Sequence, residues 1–208
     1  MGKKYLLVLI LLSSLSVSGL YALHFDYNED LSLVSDTTLA LAMASPGLVL
    51  LEAPVSDYLT IGGSYGVTMA ATYFGIRTPL KALIDKERPY VGETTERPVD
   101  TDEDYDSFPS GHSLMAFAAA AYTQTITSIW YPDSKIMQGA SIAGWSLATA
   151  TAVLRVVSGN HYPIDVLAGA ALGSAVGFLG PYLTSKLFPP DGSVQILAGP
   201  VVGMQVAF

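Results

Sequence analysis

Hydrophobic residues dominate this chain in long blocks that short polar breaks separate. Beyond residue 24 the apolar blocks are rich in Ala, Leu, Gly, Val and Thr, and they cover approximately residues 36–53, 58–85, 111–130, 136–157 and 163–188. Prolines mark several of the breaks, as at Ala53-Pro54 and Phe188-Pro189-Pro190. Apolar blocks of this length, without the strict alternation of strands, predict helices. We therefore expect an all-α fold, a bundle of about five to six helices.

The first two dozen residues form a further apolar segment. Lys3 and Lys4 precede the apolar run from Tyr5 to Leu12, and small residues follow. The pattern predicts either a signal peptide cleaved near residues 19–22 or, if the segment is retained, a first transmembrane helix over residues 5–23. Either way the chain enters the export pathway. We expect residues 1–23 to be this segment, residues 24–190 to form one helical domain and residues 191–208 to form a tail.

Two regions depart from the helical pattern. Nine of the eighteen acidic residues lie between Asp85 and Asp106, which predicts a solvated loop. We interpret this loop as a hydrophilic cover without chemistry, since its spacing matches no calcium-binding template. The tail alternates apolar and other residues around Gly199-Pro200, which predicts two short, packed strands.

Composition narrows the possible functions. The 208 residues are 50% hydrophobic and only 13% charged, with a formal net charge of −8. The negative charge argues against a nucleic-acid partner. The chain has no cysteine, which excludes disulfides, thiolate catalysis and cysteine zinc sites.

The motif Ser158-Gly-Asn-His161-Tyr-Pro-Ile-Asp165 carries the first candidate chemistry. Pro163 suits the first turn of a helix, which places His161 just before the helix and Asp165 in its first turn. The carboxylate could then hold one tautomer of the imidazole and leave the other nitrogen free as a nucleophile. The alternative is a loop histidine beside a carboxylate that the helix dipole favours.

Three further positions place polar groups at the ends of helical blocks. Lys81 and Arg88 would project from one face if the second block continues through Asp85. Ser110 is placed to cap the next helix, where the amides of Gly111 and His112 would bind an anion. Arg155 closes the fourth block. Each of these has a plain structural alternative, as a surface cation or a simple helix cap.

Together the motifs read Lys81-x6-Arg88-Pro89, Pro109-Ser-Gly-His112 and Arg155-x5-His161-x3-Asp165. In this order the chain resembles the type 2 phosphatidic acid phosphatase family, which is related to class A acid phosphatases and vanadium haloperoxidases. The resemblance covers about residues 58–180. One departure is Leu154, where the family usually has serine, so that a hydroxyl near the phosphate is lost.

The resemblance implies a role for each matching residue. His161 matches the nucleophile that forms a phosphohistidine, Asp165 the carboxylate that orients it, and His112 the acid that protonates the leaving oxygen. The implied phosphate cradle consists of Lys81, Arg88, Ser110, Gly111 and Arg155. Fixed cations and helix-start amides can neutralise a phosphoryl group, so we expect neither a metal nor another cofactor.

The resemblance also implies a phosphorylated lipid as substrate and the membrane as its location. If all six blocks span, the motifs lie together on the outer face, with the amino-terminal lysines in the cytoplasm. The alternative is a soluble periplasmic acid phosphatase after signal cleavage. A haloperoxidase and a non-catalytic lipid-binding protein are further alternatives, although haloperoxidases are usually much larger and a binding protein would not need every motif residue. The sequence leaves the preferred phosphate ester and the oligomeric state open.

Overall fold

The computed structural model describes residues 23, 25–92, 98, 103–189, 194–195 and 205–206. The described residues form six α-helices, which we name α1 (Glu29–Ala44), α2 (Tyr58–Ala70), α3 (Thr78–Leu83), α4 (Gly111–Trp130), α5 (Lys135–Val157) and α6 (Pro163–Leu187). Short 3-10 helices at Ser45–Leu51 and Val55–Asp57 join α1 to α2, and a π-helix at Ala71–Arg77 joins α2 to α3. The all-α prediction is confirmed. Helices α4, α5 and α6 follow the predicted blocks closely, whereas α1 begins at Glu29, seven residues before the first predicted block.

The second block ends earlier than the sequence suggested. It was expected to continue through Asp85, but α3 ends at Leu83 and Ile84 is extended. The segment after it pairs with the end of the acidic loop, since the amide of Lys86 donates to the carbonyl of Tyr105 at 2.9 Å. This long-range pairing takes over the backbone hydrogen bonds that another helical turn would have made.

The helix starts are capped as the motifs predicted. The side chain of Ser110 accepts a hydrogen bond from the amide of Ser113, which confirms it as the cap of α4. Pro163 occupies the first turn of α6, and Asp165 lies in the same turn, where its carboxylate accepts from the amide of Tyr162 at 3.2 Å. Ser134 caps α5 in the same way.

Helix α4 lies at the centre of the bundle and packs against α1, α2, α5 and α6. It approaches α6 most closely, because Gly169, Gly173 and Gly177 recur every fourth residue on the facing side of α6. A Cβ atom added at Gly173 would lie 2.1 Å from the carbonyl oxygen of Leu114. The glycines therefore allow direct backbone contact between the two helices.

The outward faces of the bundle are apolar. Exposed large side chains include Leu59, Val67, Ile142 and Leu179. Three helical segments of the described chain, at Glu29–Leu51, Lys135–Val157 and Pro163–Leu187, are long and apolar enough to cross a membrane. Most of their surface faces outward, as expected for helices in contact with lipid.

The carboxy-terminal tail contains one short pair of strands. Val194–Gln195 pairs antiparallel with Gln205–Val206, in agreement with the predicted strands. Residues 1–22, which include most of the predicted signal or first transmembrane segment, lie outside the described residues.

Candidate active site

The predicted motifs meet at one end of the bundle, where α4 and α6 begin and α5 ends. The amide of Ser110 donates to the carbonyl of Asp165 at 3.0 Å and joins the starts of α4 and α6. The amide of His161 donates to the carbonyl of Arg155 at 3.1 Å and ties the histidine loop to the end of α5. Helix packing thus brings together residues that lie far apart in the sequence.

Lys81 and Arg88 are both buried at this end, with 8% and 4% of their surface exposed. Lys81 lies in α3, whereas Arg88 lies in the extended segment beyond it, so the two cations do not share a helix face as expected. The Lys81 ammonium donates to the carbonyl of Asp106. The Arg88 guanidinium donates to the carboxylate of Glu103 and, through Nε, to its carbonyl at 2.9 Å.

Arg155 is the third buried cation, with 4% of its surface exposed. Its guanidinium donates to the hydroxyls of Ser32 and Ser35 on α1, each at 3.2 Å, and to the side-chain oxygen of Asn160 at 3.0 Å. The hydroxyls near this arginine therefore come from α1, since Leu154 cannot supply one. The Arg155 Nε is buried without a hydrogen-bond partner among the described residues.

His161 is 1% exposed, and the charges of these three cations act on its ring. Burial, followed by the charges of Arg88, Arg155 and Lys81, holds the pKa of His161 well below its usual range. The ring is therefore neutral at neutral pH, and one of its nitrogens carries a lone pair. Within the described chain, Nδ1 of this ring is buried and makes no hydrogen bond.

Asp165 is completely buried near the start of α6, but its hydrogen bonds do not go to His161 Nδ1. One carboxylate oxygen forms an ion pair with Lys86. The other accepts from the hydroxyl of Ser107 at 2.6 Å and from the amide of Tyr162 at 3.2 Å. The carboxylate thus holds the residue next to His161, whereas the direct pairing of Asp165 with the imidazole is not formed.

His112 lies in the first turn of α4 and contacts a residue that the motifs did not include. Its Nε2 is 2.8 Å from Oδ1 of Asp36 on α1. The same Asp36 oxygen is 3.4 Å from the Arg155 guanidinium. Burial lowers the pKa of His112, and the hydrogen bond with Asp36 opposes that shift.

The start of α4 has a further cation beside it. A Cβ atom added at Gly111 would lie 2.7 Å from Nε of Arg77, so the absent side chain makes room for this guanidinium. Arg77 is also 4.0 Å from the carboxylate of Glu103. The helix-start amides and Arg77 thus bring positive charge to this corner, beside the carboxylate of Glu103.

A cavity of about 240 Å³ opens at this end of the bundle, and among the described residues its lining does not include Lys81 or His161. Its walls include three predicted residues, Arg88, His112 and Arg155, together with Asp36 and Glu103. A larger apolar cavity of about 640 Å³ lies between α2 and the second half of α6, away from the titratable residues of the site. The smaller, polar cavity is therefore the candidate active site.

The cations and histidines of the site can bind a small anion and exchange protons with it. In the described part of the chain, no group of three or more His, Cys, Asp or Glu side chains is arranged to hold a metal ion. Each buried cation already has carbonyl, hydroxyl or carboxylate partners that fix its position.

Several residues of the site did not stand out in the sequence. Asp36, Ser32 and Ser35 belong to an ordinary helical block, and their role depends on α1 packing beside α5. Glu103 belongs to the acidic loop, for which the sequence predicts a hydrophilic cover without chemistry. Only the density of carboxylates in that loop hinted at contact with the neighbouring cations.

Proteins of known function or structure are similar to parts of this chain. A curated relative, lipid A 1-phosphatase of Porphyromonas gingivalis, is 38% identical over 85 residues, which is 39% of this chain and 17% of the relative's length. The crystal structure of Aquifex aeolicus LpxE matches with a TM-score of 0.52 and 20% identity, over 74% of this chain and 87% of that chain. A transmembrane PAP2-type phosphatidylglycerolphosphate phosphatase from Bacillus subtilis matches with a TM-score of 0.43 and 20% identity, over 86% and 96% of the two chains.

The Aquifex match supports the helical fold described above. The sequence model of the PAP2 superfamily covers residues 61–189, which include all the predicted motif residues. This match spans more than half of the chain, which therefore belongs to the PAP2 superfamily.

Proposed function

We propose that the chain is a membrane lipid phosphatase that hydrolyses a phosphate monoester or diphosphate through a phosphohistidine intermediate, without a metal. The observation that carries this proposal is that Lys81, Arg88 and Arg155 are buried at the same end of the bundle as His161, whose pKa their charges lower. Buried cations are costly unless an anion compensates them. In this structure the carboxylates of Glu103 and Asp36 compensate Arg88 and Arg155. A phosphoryl group would take over that compensation at Arg88, and it is also a target for the imidazole lone pair.

The three cations would neutralise the phosphoryl oxygens during the reaction. Phosphoryl transfer needs mainly positioning and charge stabilisation, which fixed guanidinium and ammonium groups supply. The buried Nε of Arg155 offers one donor that the described residues leave unused. In this proposal the phosphate displaces the carboxylate of Glu103 from Arg88 and takes its place.

The reaction would proceed in two displacements. A ring nitrogen of His161 forms a bond to phosphorus while the bond to the leaving oxygen breaks, and protonated His112 gives its proton to that oxygen. Water then attacks phosphorus, the bond to His161 breaks, and His112 accepts the proton of the water. Phosphate leaves, and both histidines return to their starting state.

Asp165 would act on the nucleophile through the backbone. Its carboxylate accepts a hydrogen bond from the amide of Tyr162, the residue after His161. Lys86 and Ser107 hold the same carboxylate in place. The carboxylate therefore fixes the loop that carries the imidazole.

The membrane-like surface and the curated relative support the proposed substrate and location. The apolar outward faces of α1, α5 and α6 would hold the protein in a bilayer, with the polar cavity near one surface. The curated relative acts, by its name, on the 1-phosphate of lipid A. We propose a lipid phosphate of this class as substrate, reached from the outer face of the membrane.

Trapping of the intermediate tests the mechanism. Purified protein in detergent is mixed with radiolabelled phosphatidic acid and quenched in alkali, because phosphohistidine is acid-labile. We expect a labelled protein, turnover that persists in excess EDTA, and loss of both label and turnover in His161→Ala.

His24, the third histidine of the chain, provides the matched control, since it lies outside the three motifs. His24→Ala should keep the label and the turnover. Near-normal turnover in His161→Ala would contradict the assignment of His161 as the nucleophile. Activity that EDTA abolishes and only zinc or magnesium restores would contradict the metal-independent site.

A further inference from the structure

We propose that Asp36 on α1 is a positioning residue for His112. Its carboxylate holds Nε2 of the imidazole and leaves Nδ1 to exchange the proton with the leaving group and then with water. The inference rests on the proposed function, because it requires His112 to be the general acid.

The geometry of the cavity supports this role. Oδ1 of Asp36 and Nε2 of His112 are 2.8 Å apart, within the range of a charge-assisted hydrogen bond. Both side chains line the polar cavity together with Arg88 and Arg155. Since Asp36 and His112 lie 76 residues apart in the sequence, the contact depends on the packing of α1 beside α4.

The charges around His112 show why a carboxylate matters there. Arg155 from α5 and Arg88 from the extended segment face the ring, and both disfavour its protonated form, as burial does. Asp36 from α1 favours the protonated form through its hydrogen bond and its charge. The general acid must be protonated when the substrate binds, so this carboxylate supports the state that the reaction needs.

The hydrogen bond also fixes one tautomer throughout the cycle. In the imidazolium, the Nε2 proton stays on the ring and is donated to Asp36 in a hydrogen bond, while the Nδ1 proton moves to the leaving oxygen as its bond to phosphorus breaks. The neutral ring still donates from Nε2 to Asp36, and its Nδ1 lone pair accepts a proton from the attacking water. The protons balance over the two steps, and Asp36 itself stays ionised.

Substitution of Asp36 by the isosteric asparagine tests the inference. General acid catalysis is worth about 10²–10⁴-fold, so Asp36→Asn should slow turnover of phosphatidic acid roughly 10- to 100-fold. The loss should be much smaller with p-nitrophenyl phosphate, whose leaving oxygen needs little protonation. The basic limb of the pH profile of kcat should move to lower pH, since the protonated His112 ring is no longer stabilised by a carboxylate.

Two matched variants accompany this one. Asp36→Glu keeps the carboxylate and should leave the basic limb near its original pH, even if the rate falls. Asp30→Asn removes an exposed carboxylate from the same helix and should leave rate and profile unchanged. Folding of each variant is checked by its elution volume and melting temperature in detergent.

The outcomes separate this inference from the proposed function. If Asp36 acts through His112, the double variant that combines Asp36→Asn with His112→Ala should be little slower than His112→Ala alone. The opposite result would be an equal loss of rate on both substrates, an unshifted high-pH limb and weaker inhibition by inorganic phosphate. Asp36 would then hold Arg155 in place rather than His112, and the inference would be overturned. If His112→Ala itself shows no dependence on the leaving group, the general-acid assignment in the proposed function is wrong.

Discussion

Lys81 differs from the two arginines of the site because it can lose its charge in an accessible pH range. Burial, with a smaller contribution from the charge of Arg88, lowers the pKa of Lys81 to about 8. A guanidinium remains charged at any pH that a protein tolerates. Among Lys81, Arg88 and Arg155, it is therefore Lys81 that should make the anion affinity of the site depend on pH.

Inorganic phosphate, as a competitive inhibitor, measures this effect. The ammonium is charged below its pKa and neutral above it, so the inhibition constant should rise as the pH increases beyond about 8. In Lys81→Arg the charge persists, and the inhibition constant should stay nearly constant up to about pH 9.5. A constant that is flat in the unmodified protein from pH 7 to 9.5 would contradict the role of Lys81 in binding the anion.

The sequence predicted the residues of the motifs better than it predicted their partners. Lys81, Arg88, His112, Arg155 and His161 were identified from their order and spacing, and the structure brings them to one end of the bundle. Their hydrogen bonds, however, go to residues such as Asp36, Glu103 and Asn160. Those contacts depend on which helices pack together, and periodicity along one chain contains no information about that packing.

At the scale of elements, the contact between α4 and α6 sets the geometry of the site. Gly169 lies against Ser110, and Gly173 lies against Leu114, so the start of α4 is held directly over the first turns of α6. This close approach allows the amide of Ser110 to reach the carbonyl of Asp165. The small residues in these blocks suited close packing, but the sequence did not show which helix they would face.

Adding one methyl group to α6, by substitution of Gly173 with alanine, tests the contact between α4 and α6. Gly173→Ala would place Cβ 2.1 Å from a backbone oxygen, and overpacking of this kind costs about 1–3 kcal/mol or more. We expect a lower melting temperature in detergent and reduced phosphatase activity. Gly139→Ala on α5 is the matched control, because a Cβ atom there meets open space, and it should keep or slightly raise stability. Equal melting temperatures for the two variants would show that α4 and α6 do not pack this closely.

The bounds of the elements were mostly predictable, because caps and prolines are local signals. Ser110 and Pro163 begin α4 and α6 as expected, and Tyr131-Pro132 follows the end of α4. The end of α3 was not predictable in this way. Residues 84–88 are extended because they pair with residues 104–107. The acidic loop separates these two segments in the sequence, so a local sequence pattern cannot predict the pairing.

At the scale of the whole molecule, the two ends of the bundle differ in chemistry. The site occupies the end where α1, α4 and α6 begin, together with the acidic loop. The opposite end contains the turn between α4 and α5, where Tyr131 donates to the carboxylate of Asp57 at 2.7 Å. Lys135 and Lys186 also lie toward this end, at the start of α5 and near the end of α6.

This asymmetry predicts the orientation of the protein in a membrane. Lysines near the ends of spanning helices favour the cytoplasmic side, and Lys3 and Lys4 precede the first apolar segment. The turn at residues 131–134 should therefore face the cytoplasm, and the site should face outward. A reporter inserted in that turn should be cytoplasmic, whereas one inserted near Glu96 in the acidic loop should be exported.

The two reporters also decide between the two interpretations of the first segment. If residues 5–23 are retained as a span, mass spectrometry of the purified protein should find the full amino terminus. If both reporters are exported and the mature chain lacks about 19–22 residues at its start, a periplasmic protein after signal cleavage is the correct interpretation. The roles proposed for Lys81, Arg88, Arg155 and His161 would be the same in either case, because all four residues lie beyond the first segment, in the described part of the chain.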